Sequence, residues 1–229
     1  MKMSKVIAFL PCRKGSQRVQ NKNTRPFSGI TGGLTHIKIS QLLKVNAIEQ
    51  IIVSTNDEDV KKIAHSFDDP KIIIDERPEI LARASTSTDD LISYLPGIIT
   101  SGVVLWTHVT SPFVDETVYQ EAIEHYYKNL KSYDSLMSVT KIQKFLWDEH
   151  GAVNYDRDRE KWPRTQTIKP LYEINSGIFL ADRSIYETYQ DRIGERPCLY
   201  ALNDRTAFDI DWEVDFEMAE VLWSRDAKI

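Results

Sequence analysis

The sequence predicts an α/β fold, a doubly wound, mostly parallel, Rossmann-like sheet, on three observations. Short apolar, β-branched runs alternate with amphipathic stretches of helical length, the rhythm of βαβ units. The 229-residue chain is 41% hydrophobic, enough to bury a sizeable core as one domain, 1–229. The alternation breaks once, between 141 and 172, where a charged, aromatic and aperiodic tract reads as an inserted arm.

In chain order, VIAFLP at 6–11 is read as a buried strand, and LTHIKISQLLKV at 34–45 as a helix burying Leu34, Ile37, Leu42 and Val45. QIIVST at 50–55 is the second strand. The helix at 57–67 opens with acids, as its dipole prefers. KIIID at 71–75 is the third strand, and DDLISYLPGIIT begins as a helix that Pro96 should end or kink. GVVLWTHV gives the fourth strand, 115–130 a helix starting at Asp115 or Glu116, and DSLMSVT at 134–140 a fifth strand. The arm follows, too rich in Trp and Tyr for simple disorder, and expected to pack on a second subunit. The sheet resumes at 176–182, with a short helix around 184–190. A last helix, WEVDFEMAEVLWS, is expected to turn Val214, Met218, Val221 and Leu222 to one face.

Charge is distributed unevenly. Residues 1–48 hold nine Lys and Arg and no acid, while the rest holds 20 bases and 34 acids, so a +9 segment precedes one of −14 and the whole is −5. That total disfavours a general nucleic-acid binder. Four of the cations fall in PCRKGSQRVQNKN at 11–23, just after the first strand. In open α/β sheets ligands bind at the carboxyl ends of strands, so this loop suits a compact polyanion such as a nucleoside triphosphate. Walker A, G-x-G-x-x-G, H-E-x-x-H and G-x-S-x-G sequences are absent, removing support for P-loop kinases, dinucleotide oxidoreductases, zinc proteases and serine hydrolases. The first apolar run is too short for a signal peptide, no run of 18 apolar residues exists, and two distant cysteines fit a reducing compartment, so a cytoplasmic location is expected.

Within the loop, Arg13 and Arg18 supply planar forks, Lys22 a movable point charge, Ser16 a hydroxyl and Asn23 an amide, while Gly15 lets backbone amides approach a phosphate. Cys12 has cationic neighbours but no adjacent base, and reads as a small residue shaping the loop. PCRKGSQRVQNKN resembles the signature P-x-R-x-G-S-K-R-x-x-x-K-N of the cytidylyltransferases that activate acidic sugars, typified by CMP-N-acetylneuraminate synthetase. The resemblance extends along nearly the whole chain. RPEILA at 77–82 matches R-P-x-x-L-A, which implies a nucleotide contact by Arg77, and the following STST implies base or ribose contacts by Ser87 or Thr88. VTSPF matches the loop after the fourth strand. PRTQ and YEINSGIF resemble segments lining the sugar pocket and point to Arg164, Gln166 and Asn175. FDIDWEVDFEMAE matches I-D-I-D-x-x-x-D-F-x-x-A-E. Two positions depart from the pattern: Gln17 replaces a Lys, and His108 stands where the family has Gln at a sugar-facing position.

Asp209 and Asp211 carry chemistry of their own. In an extended segment, residues two apart point the same way, so both carboxylates can face one hard cation, Mg²⁺ or Mn²⁺, shared with substrate phosphates. The competing role is capping the last helix. The resemblance implies a nucleotide-diphospho-sugar-transferase-like fold, a homodimer joined by the arm, and transfer of CMP from CTP to a nonulosonic, sialic-type acid. Arg13, Lys22 and Asp211 are then the catalytic candidates, Asp211 or its metal-bound water being a candidate base. The alternatives are another 2-keto sugar acid such as 3-deoxy-octulosonate, a D-x-D glycosyltransferase, and a degenerate homologue that binds nucleotide without turnover.

Overall fold

The computed structural model describes residues 5–226. Seven strands form one sheet: β1 (Val6–Pro11), β2 (Ile48–Thr55), β3 (Ile72–Glu76), β4 (Val103–Trp106), β5 (Ser135–Ile142), β8 (Leu171–Asp182) and β9 (Pro197–Leu202). Their spatial order is β3-β2-β1-β4-β8-β5-β9, and every neighbouring pair is parallel except those of β8, which runs antiparallel to both β4 and β5. The helices are α1 (Gly33–Leu43), α2 (Glu58–His65), α3 (Thr88–Ile98), α4 (Glu116–Asn129), α5 (Arg183–Thr188) and α6 (Glu213–Asp226). No described helix is long and apolar enough to cross a membrane.

Strand alternation sends side chains to opposite faces, and β1 shows the result. Val6, Ala8 and Leu10 join a core with α1, α2, α4 and α6, while Ile7 and Phe9 join a second core with α3 and α5. Burial on both faces is why the central strands read as continuous apolar runs rather than alternating ones.

Local rules account for the element ends. Asp57, Ser87 and Asp115 cap α2, α3 and α4 through their side chains, Ser87 in a reciprocal capping box with Asp90. The third helix runs two residues past Pro96, and Arg183 captures the carbonyls of Pro96 in its last turn and of Ile99 just past its end. At the start of α1, Gly33 has φ 53°, and a Cβ there would lie 1.9 Å from the Arg25 carbonyl, so no other residue fits that crossing.

Three features differ from the sequence expectations. PCLYAL at 197–202 forms an edge strand, where Pro197 is tolerated because an edge needs fewer donors. On α6 the predicted face is largely inverted: Val214, Met218 and Val221 are exposed and Leu222 is only partly buried, while Phe216 and Ala219 are buried and Trp223 is partly so. The aromatic anchors decide the orientation, since Phe216 and Trp223 both pack edge-on against Phe27. The expected arm also begins as sheet, because β5 and β8 stay paired out to Ile142 and Leu171.

The excursion at 143–170 carries a two-stranded hairpin, β6 (Trp147–Asp148) with β7 (Gly151–Ala152), and a 3₁₀ turn at Thr165–Thr167. Asn154 organises it, accepting from the Leu146 N–H and donating to the carbonyls of Lys144 and Lys169. Phe145 packs against Tyr155 and Trp162, and Arg157 lies over Trp147 and Trp162. Trp147 and Trp162 nevertheless stay more than half exposed.

Candidate active site

The basic loop leaves β1 at the carboxyl edge of the sheet and meets the segments following β4 and preceding α6. A cavity of about 320 Å³ opens there, lined by Arg13, Ser16, Gln17, Arg18, Lys22, Asn23, and on the facing side His108 and Thr110. Gly15 has φ 78° with open space around its Cβ position, so the glycine serves conformation rather than packing. Asn23 fastens the loop, donating to the Arg13 carbonyl at 3.2 Å while its own carbonyl accepts from the backbone and hydroxyl of Thr35.

Two acids stand close to these cations. Arg18 pairs with Asp211 at 2.8 Å, and Lys22 Nζ donates to the Ile210 carbonyl at 2.6 Å. Burial depresses the Lys22 pKa, and Asp209 and Asp211 act against that shift. The Asp209 carboxyl is pushed up, first by burial and also by the charge of Asp211, against hydrogen bonds from Thr110 and Ser111. The acid that caps α6 is Asp215, which accepts from the backbone N–H groups of Asp211 and Trp212. Capping therefore does not occupy the carboxylates of Asp209 and Asp211, which meet Ser111 and Arg18 instead. Two hard oxygen donors beside a cation-lined cavity suit a metal ion that takes its remaining ligands from water and substrate.

The loop after β4 is held from below. Lys38, fully buried in α1, donates to the carbonyls of Ser111 and Val114 at 2.8 Å each, and Gln41 donates to that of Pro112 at 2.7 Å. Burial drives the Lys38 pKa well down. From the other side, Thr107 donates to the Gly177 carbonyl at 2.8 Å. Gly177 lies in a bulge of β8, where Asn175 to Ile178 face the single residue Ser138. Asn175 and Ser138 supply the missing ladder bonds: Ser138 Oγ donates to Asn175 Oδ1 and accepts from the Ile178 N–H.

His108 accepts a hydrogen bond at Nε2 from Trp106 Nε1, 3.1 Å away, which places the imidazole proton on Nδ1. Burial, then the positive charges of Arg192, Lys22 and Arg77, lower its pKa to about 3, so the ring is neutral. Cys12 is buried and its thiol is raised to about 12, which excludes a thiolate nucleophile at neutral pH.

The structure thus gathers Arg13, Ser16, Arg18, Lys22, Asn23, His108, Asp209 and Asp211 at one edge. Arg77 lies just beneath, 5% exposed, donating to the carbonyl and hydroxyl of Ser54. Ser87 and Thr88 sit at the α3 N-terminus, Arg164 and Gln166 are exposed on the excursion, and Asn175 is buried in the bulge; none of the five lines the cavity. Thr110, Ser111 and Asp215 were not singled out from the sequence, although all three lie inside motifs already quoted.

The cytidylyltransferase family model matches residues 7–225 of this chain. The chain belongs to the cytidylyltransferase family. It is 30% identical to the N-acylneuraminate cytidylyltransferase of Escherichia coli O18:K1:H7, over 94% of this chain and 51% of that protein. It is 22% identical to the pseudaminic acid cytidylyltransferase of Campylobacter jejuni, over 96% of each. The chain spans about half the length of the N-acylneuraminate cytidylyltransferases it matches. Among solved structures, a CMP:2-keto-3-deoxy-manno-octonic acid synthetase complexed with CTP superposes with a TM-score of 0.71 at 15% identity, covering 97% of this chain and all of that one. This cytidylyltransferase accordingly shares the fold the resemblance implied.

Proposed function

We propose that this cytidylyltransferase transfers CMP from CTP to an acidic 2-keto sugar of the nonulosonic type, releasing pyrophosphate. The observation that carries the reading is the cationic cavity lined by Arg13, Arg18 and Lys22, with Asp211 paired to Arg18 at its rim and Asp209 held by Ser111 behind Thr110. A triphosphate brings about four negative charges, which the cationic wall neutralises while Lys22 and Arg13 stabilise the charge that builds as pyrophosphate departs. Ser16 and Asn23 orient the phosphates, and Arg77, Ser87 and Thr88 recognise the nucleoside.

Asp209 and Asp211 would hold Mg²⁺ or Mn²⁺, which when bound polarises the phosphoryl oxygens. The sugar's anomeric hydroxyl attacks the α-phosphorus in line, and Asp211 accepts its proton once nucleotide binding frees it from Arg18. His108 and Asn175 face the sugar. Arg164 and Gln166, exposed on the excursion of one subunit, complete the pocket of its partner in a homodimer. The buried free thiols of Cys12 and Cys198 suit the cytoplasm.

Pyrophosphate release with CTP and a panel of sugar acids tests this reading. Turnover of a nonulosonic acid supports it, preference for 3-deoxy-octulosonate redirects it to that sugar, and nucleotide binding without turnover refutes it.

A further inference from the structure

Arg192 lies between α5 and β9, in a charged tract that matches no motif. Its guanidinium carbon sits 3.7 Å from the centroid of Phe179 and 5.5 Å from that of Trp106. Both rings are buried, and they face each other across the β4–β8 ladder. Trp106 in turn donates to His108, two residues on and just past the end of β4. The row Arg192, Phe179, Trp106 and His108 therefore ends at the cavity, and Arg192 heads the charges that act on His108.

This guanidinium is half-buried, yet it makes no hydrogen bond or ion pair with any described residue. Its acidic neighbours do not claim it: Asp191 accepts from the backbone N–H of Arg192 instead, and Asp89 acts on it through its charge without an ion pair. Nearby, the buried Tyr186 hydroxyl also lacks a partner. Stacking satisfies the flat face of a guanidinium and leaves its rim of N–H donors open. A planar carboxylate matches that rim with two parallel hydrogen bonds.

We infer that Arg192 binds the carboxylate of the sugar acid, with Phe179 and Trp106 as the platform that fixes the guanidinium plane. The inference rests on the proposed activity and names the residue that makes the site select an acid. In a 2-keto sugar the carboxylate is attached to the anomeric carbon, so anchoring it also positions the attacking hydroxyl. Arg192 is then a specificity-determining residue.

The test compares wild type, Arg192→Gln and Arg192→Lys on the panel acid that wild type turns over fastest and on that acid's C1 carboxamide. Wild type is expected to favour the acid about 100-fold in kcat/KM, as a site left with an unpaired charge rejects a neutral analogue. Arg192→Gln should raise the KM for the acid about 100-fold, leave the KM for CTP within twofold, and bring the acid-to-amide ratio near one. Arg192→Lys keeps the charge but loses the fork, and should raise the acid KM about tenfold. An unchanged acid-to-amide ratio in folded Arg192→Gln overturns the assignment, as does an unchanged acid KM in Arg192→Lys should the glutamine variant not fold. Wild type inert on the whole panel refutes the activity itself, an outcome distinct from an active enzyme whose selectivity ignores Arg192.

Discussion

Replacing Lys22 with Met separates a structural from a catalytic role. The ammonium donates to the Ile210 carbonyl at 2.6 Å and stands close to Asp209 and Asp211. Losing a charged hydrogen bond costs about 1.5–3 kcal/mol. Met keeps the apolar stem and relieves the cost of a partly buried ammonium, which offsets much of that loss. The net destabilisation is put at ~1 kcal/mol, a fall in Tm of about 2–4 °C for a chain of this size. The effect on turnover is larger, because one preorganised cation facing the developing charge contributes ~3 kcal/mol, about 100-fold in rate. The assay is pyrophosphate release at saturating CTP and sugar acid, beside thermal melts. Lys14→Met is the control: that side chain is exposed and outside the cavity, and its variant should stay within twofold of wild type. Folded Lys22→Met turning over within threefold of wild type would refute the triphosphate cradle.

Asp209→Asn and Asp211→Asn should each cut turnover sharply and raise the Mg²⁺ concentration required, since an amide is a poorer ligand for a hard cation. Asp215→Ala should instead cost ~1 kcal/mol of stability with the Mg²⁺ titration unmoved, and an equal shift in all three variants would dismiss the metal assignment. His108 should show in stability against pH: with a folded pKa of about 3 and an ordinary value of 6.5, the unfolded chain binds the extra proton between them. Stability is therefore lost as pH falls from 6.5 towards 3, by at most about 1.4 kcal/mol per unit from this group. His108→Gln should flatten that part of the profile and reorder the sugar panel, and an identical profile would show that the ring titrates normally. The exposed Trp147 and Trp162 predict a two-fold dimer; a fully active monomer at micromolar concentration in sedimentation would exclude it.

The parallel half of the sheet and the position of the basic loop at its carboxyl edge were legible because each depends on local signals. β1 and β2 are apolar runs buried on both faces, and the loop cations fall within eleven residues of a strand end. What stayed hidden depends on distant partners. Nothing in SGIFLAD reveals that it runs antiparallel between β4 and β5, because strand direction is set by where the intervening chain returns. PCLYAL drew no strand reading, since it is an edge strand that leaves Leu199 and Ala201 to solvent. The inverted face of α6 follows from Phe27, nearly two hundred residues away in sequence, which selects Phe216 and Trp223 over the aliphatic stripe. Arg192 escaped for the same reason, as its meaning comes from Phe179 and Trp106 rather than from its neighbours in the chain.

The antiparallel strand also sets an order of assembly. β4 emerges early, but its open edge is closed only by β8, and the 64 residues 107–170 stand between them. At a synthesis rate of about 5–20 residues per second, the nascent sheet carries an unpaired inner edge for roughly 3–13 s. During that interval β5, already made, offers the same lengthwise direction as β4, and docking it there directly would place it where β8 belongs. The bulge opposite Ser138 opposes that error, because the hydroxyl and Asn175 satisfy each other only when β8 lies beside β5. A segment whose Gly177 carbonyl holds Thr107 after β4 is thus also the late keystone, and proteolysis of stalled nascent chains should find the β5 segment unprotected until residue 182 has cleared the ribosome.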